Sequence, residues 1–225
     1  MKLSIVIPSY NQQDFLPDCI ESVLNQKVSA DEIIVIDDGS TDHSLEIARK
    51  YPVKVISQVN KGLASARNTG IMNATGDYIF FLDSDDLLNE DCIEEVKKVI
   101  SETNADVVSP SFKCFGNRQD EVILMPNPKI EDFKVGNRVG YCSAVKREVL
   151  LEVGGYNPKM IWGWEDYDLW FDLLERGKQI VTIPKILWLY RVKNVSMFTE
   201  SKKHEGELWA QLKKNHPNIW PTLPA

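Results

Sequence analysis

Tyr78-Ile79-Phe80-Phe81-Leu82-Asp83-Ser84-Asp85-Asp86 is an apolar run that stops abruptly at a cluster of carboxylates. An apolar run this short, aromatic and bounded by polar residues reads as a buried strand, and the acidic cluster as the turn that ends it. The same arrangement recurs upstream. Lys2 to Ile7 is strand-like and runs into Pro8-Ser9-Tyr10-Asn11. Glu32 to Ile36 is strand-like and runs into Asp37-Asp38-Gly39-Ser40-Thr41-Asp42, and Val53 to Ser57 is a further strand candidate. Between them, Phe15, Leu16, Ile20, Val23 and Leu24 recur at helical spacing. A second helix is expected from about Ser44, behind Ser and Asp residues that can cap it, and a third over Gly62 to Ala74, with Leu63, Ala66, Gly70 and Ile71 on one side.

Strands alternating with helices predict an α/β fold with a mostly parallel sheet flanked by helices. Ligands in such sheets bind beyond the carboxyl ends of the strands, so the three polar clusters are expected to meet at one edge. The second half is less regular. Asp91 to Ser101 reads as helix, Asp106 to Phe115 as extended chain, and Gly116 to Gly136 as a loop over the site. Val139 to Lys146 reads as a strand, Glu165 to Arg176 as a helix, and Ile180 to Pro184 and Leu187 to Val192 as two strand-like runs. One domain over residues 1–200 is expected, with halves 1–105 and 106–200, followed by a polar tail, 201–225, of partly helical character.

Composition excludes several classes. The chain has 225 residues, 43% hydrophobic and 26% charged, as in an ordinary globular protein. A formal net charge of -7 argues against a nucleic-acid partner, which calls for a basic face. No apolar run is long enough to span a bilayer, and the N-terminal run is too short and too interrupted by Pro8 to read as a secretion signal. A cytoplasmic protein is expected, with contact to a membrane surface left open. Cys19, Cys92, Cys114 and Cys142 are too widely spaced for a zinc site or a disulfide framework, and read as free thiols.

Three clusters can carry chemistry. Asp83, Ser84 and Asp85 offer hard oxygen ligands suited to Mg²⁺ or Mn²⁺, although a solvated acidic turn capping the next helix accounts for the same residues. Asp38 can accept hydrogen bonds from a base or ribose, or simply organise its own turn. Trp162-Gly163-Trp164-Glu165-Asp166-Tyr167-Asp168 sets aromatic rings beside carboxylates, the pairing a sugar site needs: rings stack on apolar sugar faces while a carboxylate takes a hydroxyl proton. Asp168 and Trp170 read as structural, Glu165 and Asp166 as functional. Lys61 and Arg67 are the cations nearest in sequence to the acidic clusters, fit either for a phosphate or for a salt bridge. His43, His204 and His216 do not cluster and read as surface residues.

Taken together, Ser4 to Asn11, Ile34 to Asp42, Gly62 to Gly70, Gly76 to Asp86 and Trp162 to Asp166 resemble, in order, the segments of family 2 glycosyltransferases. That resemblance implies a GT-A fold, Rossmann-like and mostly parallel, with nucleotide-binding and acceptor-binding halves. It implies an inverting, metal-assisted transfer of a sugar from a nucleotide-sugar donor, typically a UDP-sugar, to an acceptor hydroxyl on a glycan, a lipid-linked glycan or a protein, as in polysaccharide biosynthesis. Pro8 and Tyr10 would line the nucleotide pocket and Asp38 would contact the base. Arg67 would support the donor site. Asp83, Ser84 and Asp85 would form the DxD motif, with Asp85 the main ligand of a Mn or Mg ion. Asp166 would be the catalytic base, and Trp164 and Glu165 would shape the acceptor side. One departure stands out: where relatives often carry Tyr-Arg-x-His, this chain has Tyr190-Arg191-Val192-Lys193, so Lys193 is expected to meet the diphosphate as a point charge.

Two other readings compete. A sugar-nucleotide-forming nucleotidyltransferase needs a glycine-rich, cationic loop after the first strand, and Pro8-Ser9-Tyr10-Asn11-Gln12-Gln13 has neither feature. A carbohydrate-binding or nucleotide-sugar-binding relative without turnover is opposed by the presence of Asp85 and Asp166 and favoured by Lys193.

Overall fold

The computed structural model describes residues 1–220. Strand β1 (Leu3–Ser9) is buried along its whole length, because parallel neighbours cover both edges and helices cover both faces. Strand β2 (Glu32–Asp37) pairs parallel to one edge, with β3 (Lys54–Ser57) parallel beyond it, and β4 (Tyr78–Phe81) pairs parallel to the other. The remaining strands are β5 (Leu87–Leu88), β6 (Val107–Gly116), β7 (Glu121–Val122), β8 (Ala144–Lys146) and β9 (Ile180–Val192). Sheet order is β3-β2-β1-β4-β8-β6-β9-β5, with β7 on β6. The long β6–β9 pair is parallel, whereas the antiparallel pairings, through β5, β7 and β8, are short.

Side chains alternate across the sheet and divide the core in two. Val6, Ile34, Ile36, Ile79 and Phe81 face one apolar layer, which includes side chains of α3 (Leu63–Asn73), α6 (Arg147–Val153), α7 (Glu165–Glu175) and α9 (Glu205–Asn215). Leu3, Ile5, Ile7, Val35 and Phe80 face the other, with α1 (Leu16–Leu24) and α4 (Cys92–Thr103). The other helices of the described residues are α2 (Ser44–Ala48), α5 (Ile130–Phe133) and α8 (Met197–Lys203). All four cysteines are buried free thiols, and among the described residues no helix is long and apolar enough to cross a membrane.

Helix α3 lies unusually close to the sheet because Gly70 presents no side chain: a Cβ there would sit 2.3 Å from Val6 Cγ1. Gly70→Ala is therefore expected to destabilise the protein. Overpacking of about 1–3 kcal/mol outweighs the roughly 1 kcal/mol gained in helix propensity. A lowered urea midpoint, restored in part by Val6→Ala, is the expected result; an unchanged midpoint would show that α3 moves away at little cost.

The second half departs from expectation in four places. The run from Val139 to Lys146 is strand only over β8, because the chain turns tightly at Gly140 to Ser143, whose hydroxyl donates to the Gly140 carbonyl at 2.6 Å. Helix α6 follows directly. Gly116 to Gly136 is not simply a loop: β7 pairs back on β6, and α5 buries Phe133 against Tyr167 and Phe171. Ile180 to Val192 is one strand rather than two. The register against β6 jumps from Ile183 to Ile186, so a bulge absorbs Pro184, which has no N–H to offer the ladder. Finally, packing continues past residue 200, since Leu208 and Leu212 of α9 enter the same core as α7.

Candidate active site

Three parallel neighbours, β2, β1 and β4, end side by side, and the clusters that follow them converge as expected. The Asp38 N–H donates to the Ser9 carbonyl at 2.8 Å, and the Leu82 N–H to the Val6 carbonyl at 3.0 Å. Beyond these ends opens a cavity of about 450 Å³ lined by Pro8, Tyr10, Asp38, Asp83, Ser84, Asp85 and Lys193 among others. A second cavity of about 410 Å³ adjoins it, lined by Arg67, Asn137, Trp164, Glu165, Asp166 and Trp209 among others. Leu63, Asp83, Tyr190, Met197 and Phe198 wall both. Lys61 lines neither cavity.

Asp38 is buried and its carboxylate is already engaged. It accepts from Gln58 Nε2 at 2.7 Å, from the Lys61 N–H at 3.0 Å and from the Gly62 N–H at 2.8 Å. Lys61 thus meets the acidic cluster through its backbone, and Asp38 holds the start of α3 against the first cavity.

Arg67, from the next turn of α3, is 1% exposed. One amino group donates to Asp83 at 2.8 Å and the other to Glu165, while the guanidinium lies 5.1 Å from the Tyr141 ring centroid and 5.2 Å from that of Tyr156. Burial works against its charge, but Asp83 and Glu165 outweigh burial and raise its pKa. Arg67 is therefore a clamp between the two cavities. Its two terminal amino groups are committed to carboxylates, whereas its Nε–H is buried without a partner among the described residues.

The acidic turn is ordered in detail. Burial, with the Asp85 charge adding to it against the pull of Arg67, pushes Asp83 up to about 6. Asp86 is fully buried, takes a hydrogen bond from the Tyr141 hydroxyl and one at 2.6 Å from the Arg191 N–H, and has its pKa raised well above the ordinary carboxylate range by burial and by Asp85. Asp85 pairs with Lys193 at 2.5 Å. Among the described residues, Asp83 Oδ2 and Asp85 Oδ1 have no protein hydrogen bond. Two hard oxygens at the cavity wall suit a divalent ion that completes its shell with phosphate and water. The one compact group of three metal-type side chains among the described residues, Asp172, Glu175 and His216, lines neither cavity.

Gly163 and Trp164 both take left-handed backbone (φ 102° and 62°) and turn the chain so that Glu165 and Asp166 open α7. The helix N-terminus favours negative charge there. Asp166 accepts from Asn137 Nδ2 at 3.0 Å, and burial plus the neighbouring Glu165 charge push it up to about 7. A carboxylate poised near neutrality beside an aromatic-lined cavity is suited to taking a proton from a hydroxyl. Asn137, Trp209, Met197 and Phe198 are lining residues that no sequence pattern marked.

Two residues read as structural are so. Trp170 is buried in the core, and Asp168 accepts from Asn157 and Asn215 and faces His216. His216 itself is not on the surface. It is 2% exposed, with Nε2 3.1 Å from Asp168 and Nδ1 2.7 Å from Glu175, and it fastens α9 to α7. Burial lowers its pKa, but those two carboxylates raise it further, so the net shift is upward.

The fold is shared with solved structures. Staphylococcus aureus TarS 1–349 in complex with UDP-GlcNAc superposes with a TM-score of 0.78 at 19% identity, over 96% of this chain and 72% of that one. The mannosyltransferase PcManGT from Pyrobaculum calidifontis, in complex with GDP-Man and Mn²⁺, gives 0.73 at 19% identity, over 95% and 64%. The architecture is thus the mixed α/β GT-A type with a curled, mostly parallel sheet. Residues 4–154 match the model of glycosyl transferase family 2. Over 218 residues the chain is 31% identical to an uncharacterized glycosyltransferase of Haemophilus influenzae, covering 92% of this chain and 85% of that one. The chain belongs to glycosyl transferase family 2. Several other curated relatives are longer, and the chain spans 18% to 39% of their length.

Proposed function

We propose that the chain is an inverting glycosyltransferase that moves a sugar from a nucleotide-sugar, a UDP-sugar, to an acceptor hydroxyl. The observation that carries this reading is the junction of the cavities at Asp83, with Asp85 on one side and Asp166 on the other. The donor lies in the first cavity, its nucleoside against Pro8, Tyr10 and Asp38 and its diphosphate at Asp83, Ser84, Asp85 and Lys193. The acceptor lies in the second, between Trp164, Glu165 and Asp166.

Asp166 takes the hydroxyl proton as the acceptor oxygen bonds to the anomeric carbon. The bond from that carbon to the diphosphate oxygen breaks on the opposite side, which inverts the centre. Asn137 orients the Asp166 carboxylate, and Arg67 fixes Glu165 beside it. A divalent ion, Mn or Mg, on Asp83 and Asp85 would offset the charge of the departing diphosphate. The bound UDP-GlcNAc of TarS and the bound GDP-Man and Mn²⁺ of PcManGT support the donor class and the ion.

The test is release of nucleoside diphosphate from a panel of nucleotide-sugars with Mn²⁺, with Mg²⁺ and with chelator, since slow donor hydrolysis needs no acceptor. Release from a UDP-sugar that is strongest with the ion and falls to background in Asp85→Ala is the expected result. Release that is indifferent to Asp85 would remove it from the donor site. Failure of every nucleotide-sugar to bind would end the reading.

A further inference from the structure

Among the described residues, two cationic side chains line the first cavity, Arg191 and Lys193, and each already has partners. Its lining holds the carboxylates of Asp38, Asp83 and Asp85 and the side chains of Arg191 and Lys193. Asp38 is satisfied by Gln58 and two backbone amides, and Asp83 takes Arg67 on one of its two oxygens. Arg191 is held by its own contacts: Nε donates to the Asp85 carbonyl at 2.7 Å, and the guanidinium lies 4.6 Å from the Phe15 centroid and 4.4 Å from that of Phe115. What remains at the acidic turn is the Lys193 ammonium, paired with the Asp85 carboxylate.

Lys193 is delivered there by the backbone. The Arg191 N–H is bonded to Asp86, which pins the end of β9 to the acidic turn, and the two-residue alternation of extended chain puts Lys193 on the same side as Arg191. Both cations accordingly lie over Phe15, Lys193 Nζ at 5.1 Å from the centroid. The pair with Asp85 is partly open to the cavity, the two side chains being 23% and 19% exposed. An ammonium on a flexible stem has three donors, so it can keep Asp85 and still reach a phosphate oxygen. A diphosphate entering a cavity walled by three carboxylates needs that positive charge, and a divalent ion on Asp85 meets an ammonium already there.

We propose that Lys193 is a resident counter-cation for the donor's diphosphate, holding a nucleoside diphosphate at Asp85 without a divalent ion and competing with that ion for the same carboxylate. The proposal rests on the donor-site reading above.

Calorimetric titration with UDP, in Mn²⁺ and in chelator, tests it on the wild type, Lys193→Ala and Lys193→Arg, with titration of Mn²⁺ alone followed by electron paramagnetic resonance. Wild type should bind UDP in chelator within about tenfold of its affinity in Mn²⁺. Lys193→Ala should lose about tenfold or more in chelator, the size of one charge-assisted contact, while Lys193→Arg keeps most of it. Mn²⁺ alone should bind Lys193→Ala more tightly than wild type. Wild type that binds UDP only with metal, or Lys193→Ala that matches wild type in chelator, would overturn the proposal and leave the donor site standing. No UDP binding in either condition would overturn both.

Discussion

Asp166→Asn should bind UDP as the wild type does and transfer sugar about 10²–10⁴-fold more slowly, the span a positioned general base contributes. The substitution is nearly isosteric and keeps a partner for Asn137, so folding should not suffer. The pH profile gives a second readout. Because burial and Glu165 push Asp166 up to about 7, the wild-type rate should climb with pH and level off above neutrality as the carboxylate ionises. Asp166→Asn should lose that limb. Stability runs the other way. A carboxyl whose folded pKa exceeds its unfolded value contributes most below the unfolded pKa and loses that contribution as pH rises through about 7. Asp166→Asn should therefore be more stable than wild type at pH 8, by thermal melt. Transfer at near-wild-type rate with the rising acidic limb intact would assign the base elsewhere.

Arg67→Ala should be the most damaging single change to stability. It strips the partner from Glu165 and Asp83 at once, and removing one member of a buried ion pair costs about 3–5 kcal/mol. In a chain of 225 residues that corresponds to a fall in Tm of roughly 6–20 °C. Arg67→Lys should recover little, since a single ammonium cannot span both carboxylates as the planar fork does. Pairing Arg67→Ala with Glu165→Gln should recover part of the loss, because the uncompensated charge then disappears. A Tm within a degree or two of wild type for Arg67→Ala would mean that water reaches both carboxylates.

The first half of the chain was legible because its local signals agree. Each apolar run of β1, β2 and β4 ends in a polar cluster, and helical spacing separates them, so both the sheet and the edge where the clusters meet follow from period alone. The second half hides its pairings. Nothing local in Val139 to Lys146 says that Tyr141 leaves the strand to reach Asp86, or that the Pro184 bulge keeps β9 continuous. Among the residues that line the two cavities, Asp83, Asp85, Glu165 and Asp166 stand out as carboxylates beside aromatic or apolar runs. Asn137 and Trp209 do not, because what recommends them is proximity across 29 and more residues of chain. The burial of His216 is hidden from the sequence for the same reason: its partners Asp168 and Glu175 lie on another helix.

One guanidinium serves two carboxylates, Asp83 where the two cavities meet and Glu165 in the second. Whatever draws Asp83 towards another cation frees part of the Arg67 charge for Glu165, and whatever neutralises Glu165 leaves more of it for Asp83. On the proposed placement of donor and acceptor, the free energy of loading one cavity would depend on the state of the other, and by thermodynamic reciprocity the dependence would have equal size in both directions. Coupling of this kind needs no moving hinge or lid. The two ion pairs of Arg67 would carry it.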